Sequence, residues 1–296
     1  MEKQLDVTIL MPCFNEEEAL PSIIKEIREV MAATTYSYEI LIVDDKSTDK
    51  SPQIAKEMGC RLIQHVFNRG AGACRKTGTL AAKSNIIVML DADGTYPVKS
   101  IPDMLPYFPK YDQVNGARRT EEGTLRLLRI PMKWFIRKLA CFLASYNIPD
   151  LNTGLKAFKR DVMLNYLWTV PDGFSCVSSM TLAFLCNGHP VKYIPIDYFK
   201  RIGKSKFHPL RDTSKYLLTV LRVVMYFNPL KVFLPLSIGL LVFGISKSFY
   251  DFFFVLGRLQ LSDIIIVISG LVVGSQGLLA DLIVAQSRIH LYKGKK

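Results

Sequence analysis

No two of the six cysteines stand in a C-x-x-C pair. Cys13, Cys60, Cys74, Cys141, Cys176 and Cys186 are scattered. That excludes an obvious zinc knuckle or disulfide framework and leaves reduced, mostly buried thiols as the expectation. The opening residues, MEKQLDVTIL, show no basic stretch followed by an apolar core, so no signal peptide is expected. The run NRGAGACRKTG ends in no G-K-[ST], which excludes a Walker A loop, and it lacks the G-x-G-x-x-G spacing. It reads instead as a helix N-terminus close to a site.

What is present is positive charge in two places. The net charge is +12. Residues 118–138 hold seven Lys/Arg against two Glu, and residues 192–222 hold eight against two Asp. Such windows suit nucleic acid, anionic lipid or a phosphorylated ligand. The apolar residues woven through them favour a membrane surface over nucleic acid.

Beyond these windows, about 230–255 and 263–285 are two apolar stretches, each long enough to cross a bilayer, which takes about 20 residues. A buried hairpin in a soluble protein is the alternative. The link between the stretches carries one basic residue, Arg258, whereas Lys215, Arg222 and Lys231 precede them and Arg288, Lys293, Lys295 and Lys296 follow. The positive-inside rule then places both flanks in the cytoplasm. Lys247 and Asp251 interrupt the first span four residues apart and could pair on one face. Gly270, Gly274 and Gly277 in the second span suggest helix–helix contacts and a homo-oligomer formed through the hairpin.

The first hundred residues alternate between strand-like runs (Val7–Met11, Glu39–Val43, Arg61–His65, Ile86–Leu90) and helical patterns (Glu17–Ala33, Lys50–Met58, Ala73–Lys83). That rhythm predicts an α/β fold: a Rossmann-like, mostly parallel sheet with helices on both faces. Ligands bind such sheets at the carboxyl ends of the strands. Three of those ends are polar: PCFNEE, VDDKSTD and DADGT. Asn15 and Ser47 could simply cap helices. Capping explains neither the Asp44–Asp45 pair nor Asp91 and Asp93. Two carboxylates one residue apart repel unless a cation lies between them, and hard oxygen ligands suit Mg²⁺ or Mn²⁺.

Together PCFNEE, IVDDKSTD, NRGAG, DADGTYP, NGARR, DLNTGLKAFKR and KRIGKSK resemble family-2 glycosyltransferases of the GT-A fold. Among these, the chain looks like the dolichyl-phosphate mannose synthase and polyprenyl-phosphate glycosyltransferase group over about residues 5–230. The resemblance implies a nucleotide-sugar pocket lined by Pro12, Phe14, Glu16, Val43 and Asp45. It implies that Asp91, Ala92, Asp93 and Thr95 meet the diphosphate and a metal held by Asp91 and Asp93. It places Arg118, Arg201 and Lys206 on donor and acceptor phosphates, the last two on a mobile loop. Asp93, Asp91, Arg118 and Arg201 would carry the catalysis. Thr95 stands where members often have glutamine, and the loop is one residue shorter than R-x-x-G-x-S-K, so Lys200 competes with Arg201 for its cation. The Q-x-x-R-W signature of processive polysaccharide synthases is absent.

The segment Gly173–Leu185 contains no acid. A hydroxyl acceptor needs a base there, whereas a phosphate monoester is already ionised at neutral pH. Asp172, one residue earlier, is the rival base. The expectation is therefore a membrane enzyme making a polyprenyl-phosphate-sugar, dolichyl or undecaprenyl, on the cytoplasmic face of a prokaryotic plasma membrane or the endoplasmic reticulum. Residues 1–228 would form its catalytic domain, with amphipathic interface helices at about 132–147 and 212–227, and residues 229–296 the hairpin and basic tail. A transferase acting on a lipid or glycan hydroxyl, and a non-catalytic nucleotide-sugar-binding module, are the alternatives.

Overall fold

A computed structural model describes residues 5–108, 110–119, 134, 136–142, 144–173, 175–202 and 209–293, the side chains of 209–217, 256 and 287–293 excepted. The chain divides into two compact units, Met1–Leu221 and Arg222–Lys296.

The first unit is built on one seven-stranded sheet, ordered β3-β2-β1-β4-β6-β5-β7. The strands are β1 Val7–Cys13, β2 Tyr38–Asp44, β3 Arg61–Gln64, β4 Ile86–Met89, β5 Gln113–Arg118, β6 Lys156–Lys159 and β7 Val191–Ile196. All neighbours run parallel except β6, which is antiparallel to both β4 and β5. The expected mostly parallel sheet is borne out. The order turns around between β1 and β4, and in such sheets that switch point opens a crevice at the strand ends.

Helix α1 (Leu20–Ala32) buries Leu20, Ile23, Ile24, Ile27 and Met31, a spacing of three and four that forms one apolar stripe. It packs with Ile9, Met11, Ile40 and Ile42 of the sheet in the main core. Each such aliphatic side chain contributes roughly 1.5–3 kcal/mol on burial, so an Ile24→Asp change would break this face. Further helices of this unit include α2 Ser51–Glu57, α3 Ala71–Ala81, α4 Ile101–Met104, α5 Arg160–Leu164 and α6 Cys176–Cys186, and α7 is Pro209–Phe227.

Strand β1 runs two residues past the expected end, because its register with β2 continues through Pro12↔Val43 and Cys13↔Asp44. Its pairing with β4 stops at Leu10↔Met89, so Pro12, which has no N–H, lies where one side of the strand is already free.

The expected interface helix at 132–147 lies partly within the described residues. Helix is present at 136–142, but Ile136 and Ala140 are fully buried, while Trp134 and Phe142 are exposed. Tyr146 stacks on Tyr193 and donates its hydroxyl to the Val191 carbonyl at 3.0 Å, so it is tied to its own domain. Phe135, Leu143 and Lys133 lie outside the described residues.

The second unit is a hairpin. Helix α8 (Leu230–Tyr250) continues through a π-helical turn, Asp251–Leu256, to Gly257 at φ 64°, and α9 (Leu261–Lys293) returns. Leu230–Val255 and Leu261–Gln286 are long and apolar enough to cross a membrane. Residues such as Leu236, Val242, Phe253, Leu271 and Leu282 are exposed, as lipid-facing side chains are. The glycine run is spent within the hairpin. A Cβ at Gly270 would meet Leu241 at 2.9 Å, at Gly274 the Ser237 hydroxyl at 2.7 Å, and at Gly277 Phe233 at 2.6 Å. These small residues let α8 and α9 approach each other, which removes the ground for an oligomer built on that face. Lys247 pairs with Asp251 at 2.6 Å, as its spacing predicts, and also with Asp263 across the turn.

Candidate active site

The loops after β1 and β2 are laced together. Asn15, at φ 54°, donates its N–H to the Ser47 hydroxyl at 2.9 Å, and its Oδ1 accepts from the Thr48 N–H at 2.8 Å. Glu16 N–H donates to Ser51 Oγ at 2.9 Å. Asn15 and Ser47 therefore cap no helix: the residues before α1 and α2 are Ala19 and Lys50, neither with a side-chain cap. Fully buried Asp44 accepts from the Ser47 N–H at 3.2 Å.

Asp45 is buried and committed. Its oxygens accept the N–H groups of Arg69 at 2.9 Å and Gly70 at 2.7 Å, and His65 Nδ1 lies 2.8 Å away. Burial works to raise its pKa, but the hydrogen bonds from Arg69, His65 and Gly70 outweigh it and the net shift is downward. Gly70 has φ 98°, and a Cβ there would lie 2.5 Å from the Asp172 carbonyl. Asp45 thus shapes the N-R-G loop. Val43 is fully buried. Pro12, Phe14 and Glu16 keep partial exposure. The ligand atoms of Asp45, His65 and Cys74 lie within 4.8 Å of one another. His65 Nε2 is engaged with Thr77 Oγ1 at 3.0 Å, and burial pushes the Cys74 thiol up, so it stays protonated. This trio is a hydrogen-bonded clamp.

The two carboxylates after β4 have different partners. Asp91 pairs through Oδ1 with the buried guanidinium of Arg75 on α3. Asp93 accepts through Oδ1 from the Thr95 hydroxyl at 2.6 Å and N–H at 3.2 Å, and Arg201 Nη1 lies 3.2 Å from its Oδ2. Arg201 also pairs with Glu16. Burial, and then the charge of Asp91, push the Asp93 pKa up. A buried carboxylate destabilised by a second one is a fitting partner for a hard cation. Ala92 and Thr95 are buried alongside.

The segment around Arg201 lies directly on this turn. Phe199 N–H donates to the Thr95 carbonyl at 3.0 Å, and Ile202 N–H to the Asp93 carbonyl at 3.1 Å. A Cβ on Gly94, at φ 75°, would sit 3.1 Å from Ile202. Lys200 is exposed, so Arg201 is the residue that meets the carboxylates. Lys206 and Gly203 lie outside the described residues.

At the end of β5, Arg118 forms a fork with Asp150, Nε to Oδ2 at 2.7 Å and Nη2 to Oδ1 at 3.0 Å. Burial acts to raise the Asp150 pKa, but Arg118 overrides it and holds the carboxyl low. The guanidinium also stacks over Tyr198, 5.1 Å from the ring centroid, and Tyr198 packs edge-on against Tyr96. Tyr96 OH accepts from the Gly154 N–H at 2.6 Å. Behind this layer α6 is acid-free and almost wholly buried. Thr181 on α6 accepts from Lys156 Nζ at 2.6 Å. Burial pushes this lysine down to about 7. Asp172 is paired with Lys76.

Sequence reasoning assigned no role to Arg75, Asp150, Gly154 or Tyr198. Asp150 and Gly154 stood inside a quoted motif. Arg75 is the one charged residue among those that α3 buries, beside Gly72, Gly78 and Thr79.

A mostly parallel sheet with a D-x-D turn at its switch point, the guanidinium groups of Arg75 and Arg201 on that turn's carboxylates and an apolar C-terminal hairpin point to a glycosyltransferase of the GT-A fold. Residues 8–167 match the family described as glycosyl transferase family 2, and the chain belongs to that family. Residues 228–285 match the GtrB C-terminal hairpin. The chain is 30% identical over 223 residues to a dolichyl-phosphate hexose transferase of Haloferax volcanii, covering 74% of this chain and 94% of that protein. It is 27% identical to glycosyltransferase AglJ of the same organism, covering 95% of each. The fold is shared with glucosyl-3-phosphoglycerate synthase of Mycobacterium tuberculosis, solved with Mn²⁺, UDP-glucose and phosphoglyceric acid, at TM-score 0.58 and 16% identity over 74% of this chain and 80% of that one.

Proposed function

We propose that the enzyme transfers one sugar from a nucleotide-sugar to a polyprenyl monophosphate at the cytoplasmic face of a membrane. The observation that carries the acceptor class is the wall of the site. α6 offers no carboxylate, the nearby Asp172 is tied to Lys76, Arg201 meets Asp93, and Arg118 stacks over Tyr198, which packs on Tyr96 just after the D-x-D turn. Among the described residues this wall offers no free base for a hydroxyl, and it suits a nucleophile that arrives ionised. The dolichyl-phosphate relative and the matched hairpin agree with a lipid carrier.

In this reading an acceptor phosphate oxygen attacks the anomeric carbon. The bond from that carbon to the donor diphosphate breaks, the nucleoside diphosphate leaves, and the configuration inverts. Asp93 would hold Mg²⁺ or Mn²⁺ with Asp91 beside it, and the ion's chemistry is to offset charge developing on the diphosphate. Arg201 would move from Asp93 onto phosphate oxygens as substrates enter, leaving Asp93 to the ion. Arg118, oriented by Asp150, and Lys206 would take the acceptor phosphate. Pro12, Phe14 and Glu16 would border the nucleotide, with Ala92 and Thr95 beside the diphosphate. Residues 1–228 would form the cytoplasmic catalytic domain and 229–296 the membrane hairpin with its basic tail.

The test is a panel of nucleotide-sugars, including GDP-mannose, UDP-glucose and UDP-N-acetylhexosamines, offered with polyprenyl phosphate, polyprenol or a soluble glycan. Mass spectrometry of the products reads the outcome. A sugar mass added to polyprenyl phosphate alone is expected. Transfer to the free alcohol or glycan, with none to the phosphate, sinks the proposal.

A further inference from the structure

Lys156 is fully buried in the sheet. It stands in one row with Met89 on β4, Asn115 on β5 and Tyr193 on β7. Its Nζ donates to Thr181 Oγ1 on α6 at 2.6 Å and to Asn115 Oδ1 at 3.4 Å. Thr181 turns its own proton to the Val177 carbonyl, 3.3 Å away, so towards the lysine it only accepts. Two acceptors match the two N–H groups of a neutral amine, whereas an ammonium brings a third. Among the described residues no carboxylate pairs with Lys156.

The charges facing it come from several elements. Asp150 lies in the loop before β6, Arg75 on α3, Arg118 at the end of β5 and the Cys176 thiol on α6, while β4 presents only Met89. Asp150 is already held by Arg118, and Arg75 by Asp91. These two ion pairs cancel internally, so a proton on Lys156 would be an uncompensated charge away from water. Burial pushes the lysine down to about 7, with Asp150 working against that and Arg75 and Arg118 with it.

A phosphate docked on Arg118 changes that balance. A phosphate monoester carries close to two negative charges above its second pKa of about 6. Each such charge at about 10 Å favours the ammonium by about one pH unit at an effective dielectric near 20. The polar layer also continues beyond the lysine. Asn115 Nδ2 and both polar atoms of the Gln113 side chain, two residues back on the same face of β5, are buried without partners among the described residues. Buried polar groups of this kind hold internal water, which gives a proton a route to the amine.

We propose that the site takes up a proton together with the acceptor phosphate and that Lys156 holds it, as a neutral amine in the empty enzyme and an ammonium while the phosphate lies against Arg118. This rests on the polyprenyl-phosphate reading above and deepens it. The proton comes from solvent, and no bond other than N–H changes at the lysine. Transfer converts the monoester, with two negative charges, into a diester with one. The ammonium therefore favours the substrate over the product, and its proton returns to solvent as the product leaves.

The experiment titrates the full chain in detergent with farnesyl phosphate, and with farnesol as the uncharged control, by calorimetry at about pH 8. Two buffers of different ionisation enthalpy report the protons exchanged, with the chain alone and with Mg²⁺ and UDP or GDP present. Wild type is expected to take up about half a proton or more per farnesyl phosphate, and none with farnesol. Its affinity for farnesyl phosphate should accordingly fall about threefold or more per unit as the pH is raised from there. Lys156→Met, and Lys156→Gln with an amide to meet Thr181, should bind without uptake and with a flat pH profile. Uptake that persists in either variant puts the proton elsewhere and overturns the inference, as expected of a lysine that only ties β6 to α6. Wild type that binds farnesyl phosphate without uptake overturns it as well and leaves the acceptor reading standing. A wild-type chain that binds farnesol as tightly as farnesyl phosphate, or binds neither, overturns the acceptor reading, and the inference with it.

Discussion

Arg118 and Asp150 hold each other in a two-pronged grip, 2.7 and 3.0 Å long, with each side chain about nine-tenths buried. Removing one partner strands the other charge away from water. Asp150→Ala is expected to destabilise the catalytic unit by about 3 kcal/mol and to slow turnover at least tenfold, because Arg118 loses its orientation. Asp150 has a depressed pKa, so its contribution is present above the ordinary carboxylate value of about 4 and fades as pH falls through the folded-state value. Thermal melts should show the gap between wild type and Asp150→Ala closing below about pH 4.

Asp93→Asn is expected to lower transfer at least a thousandfold, and chelation of wild type should do the same, reversed by Mg²⁺ or Mn²⁺. Full activity of the variant in chelator-treated, metal-resupplied assays would remove Asp93 from the metal site.

Arg201→Lys keeps the charge and loses the planar fork. Turnover should fall at least tenfold, with liposome binding near that of wild type. If activity is untouched by Arg201→Lys and follows membrane association alone in Arg201→Ala, the residue serves only lipid attraction.

Asp172→Asn breaks the pair with Lys76 but should leave the rate within about tenfold of wild type. A thousandfold loss with an unchanged melting profile would make Asp172 the base and favour a hydroxyl acceptor.

Lys156 is buried with its pKa pushed down to about 7, against 10.5 when free. Between those values the unfolded chain holds the proton and the folded chain releases it. Stability should therefore rise with pH in that window, by at most about 1.4 kcal/mol per unit. Lys156→Met should flatten this slope, measured as the change in Tm from pH 7 to 9.5. An unchanged slope in the variant would place the titration elsewhere.

The early strands and helices were legible because their apolar periodicity is local, and β1 to β4 were anticipated to within two residues at either end. The D-x-D turn was legible for the same reason: it abuts a buried run. The partners of its carboxylates were not. Arg75 lies 16 positions from Asp91, and Arg201 lies 185 from Glu16. Only the folded sheet brings those charges together. Asp45 also has partners that its position does not announce. It sits at a strand end like Asp93, but its oxygens are turned inward by the N–H groups of the next loop, which spacing alone does not reveal. The glycines of α9 pointed correctly to close helix packing but not to the partner, because a small-residue face carries no address.

The clasp of Lys247, Asp251 and Asp263 bears on how the hairpin is made. Lys247 and Asp251 leave the ribosome first and already neutralise each other, whereas Asp263, fully buried in the finished hairpin, finds its cation only on α8. On the proposed two-span topology the second helix would carry into the lipid a charge that the first must be present to quench, and the two should integrate as one cooperative event. Nascent chains carrying Lys247→Leu are expected to integrate their second helix less completely than wild type in a membrane-insertion assay. Equal integration would mean that Asp263 reaches its place without help from α8.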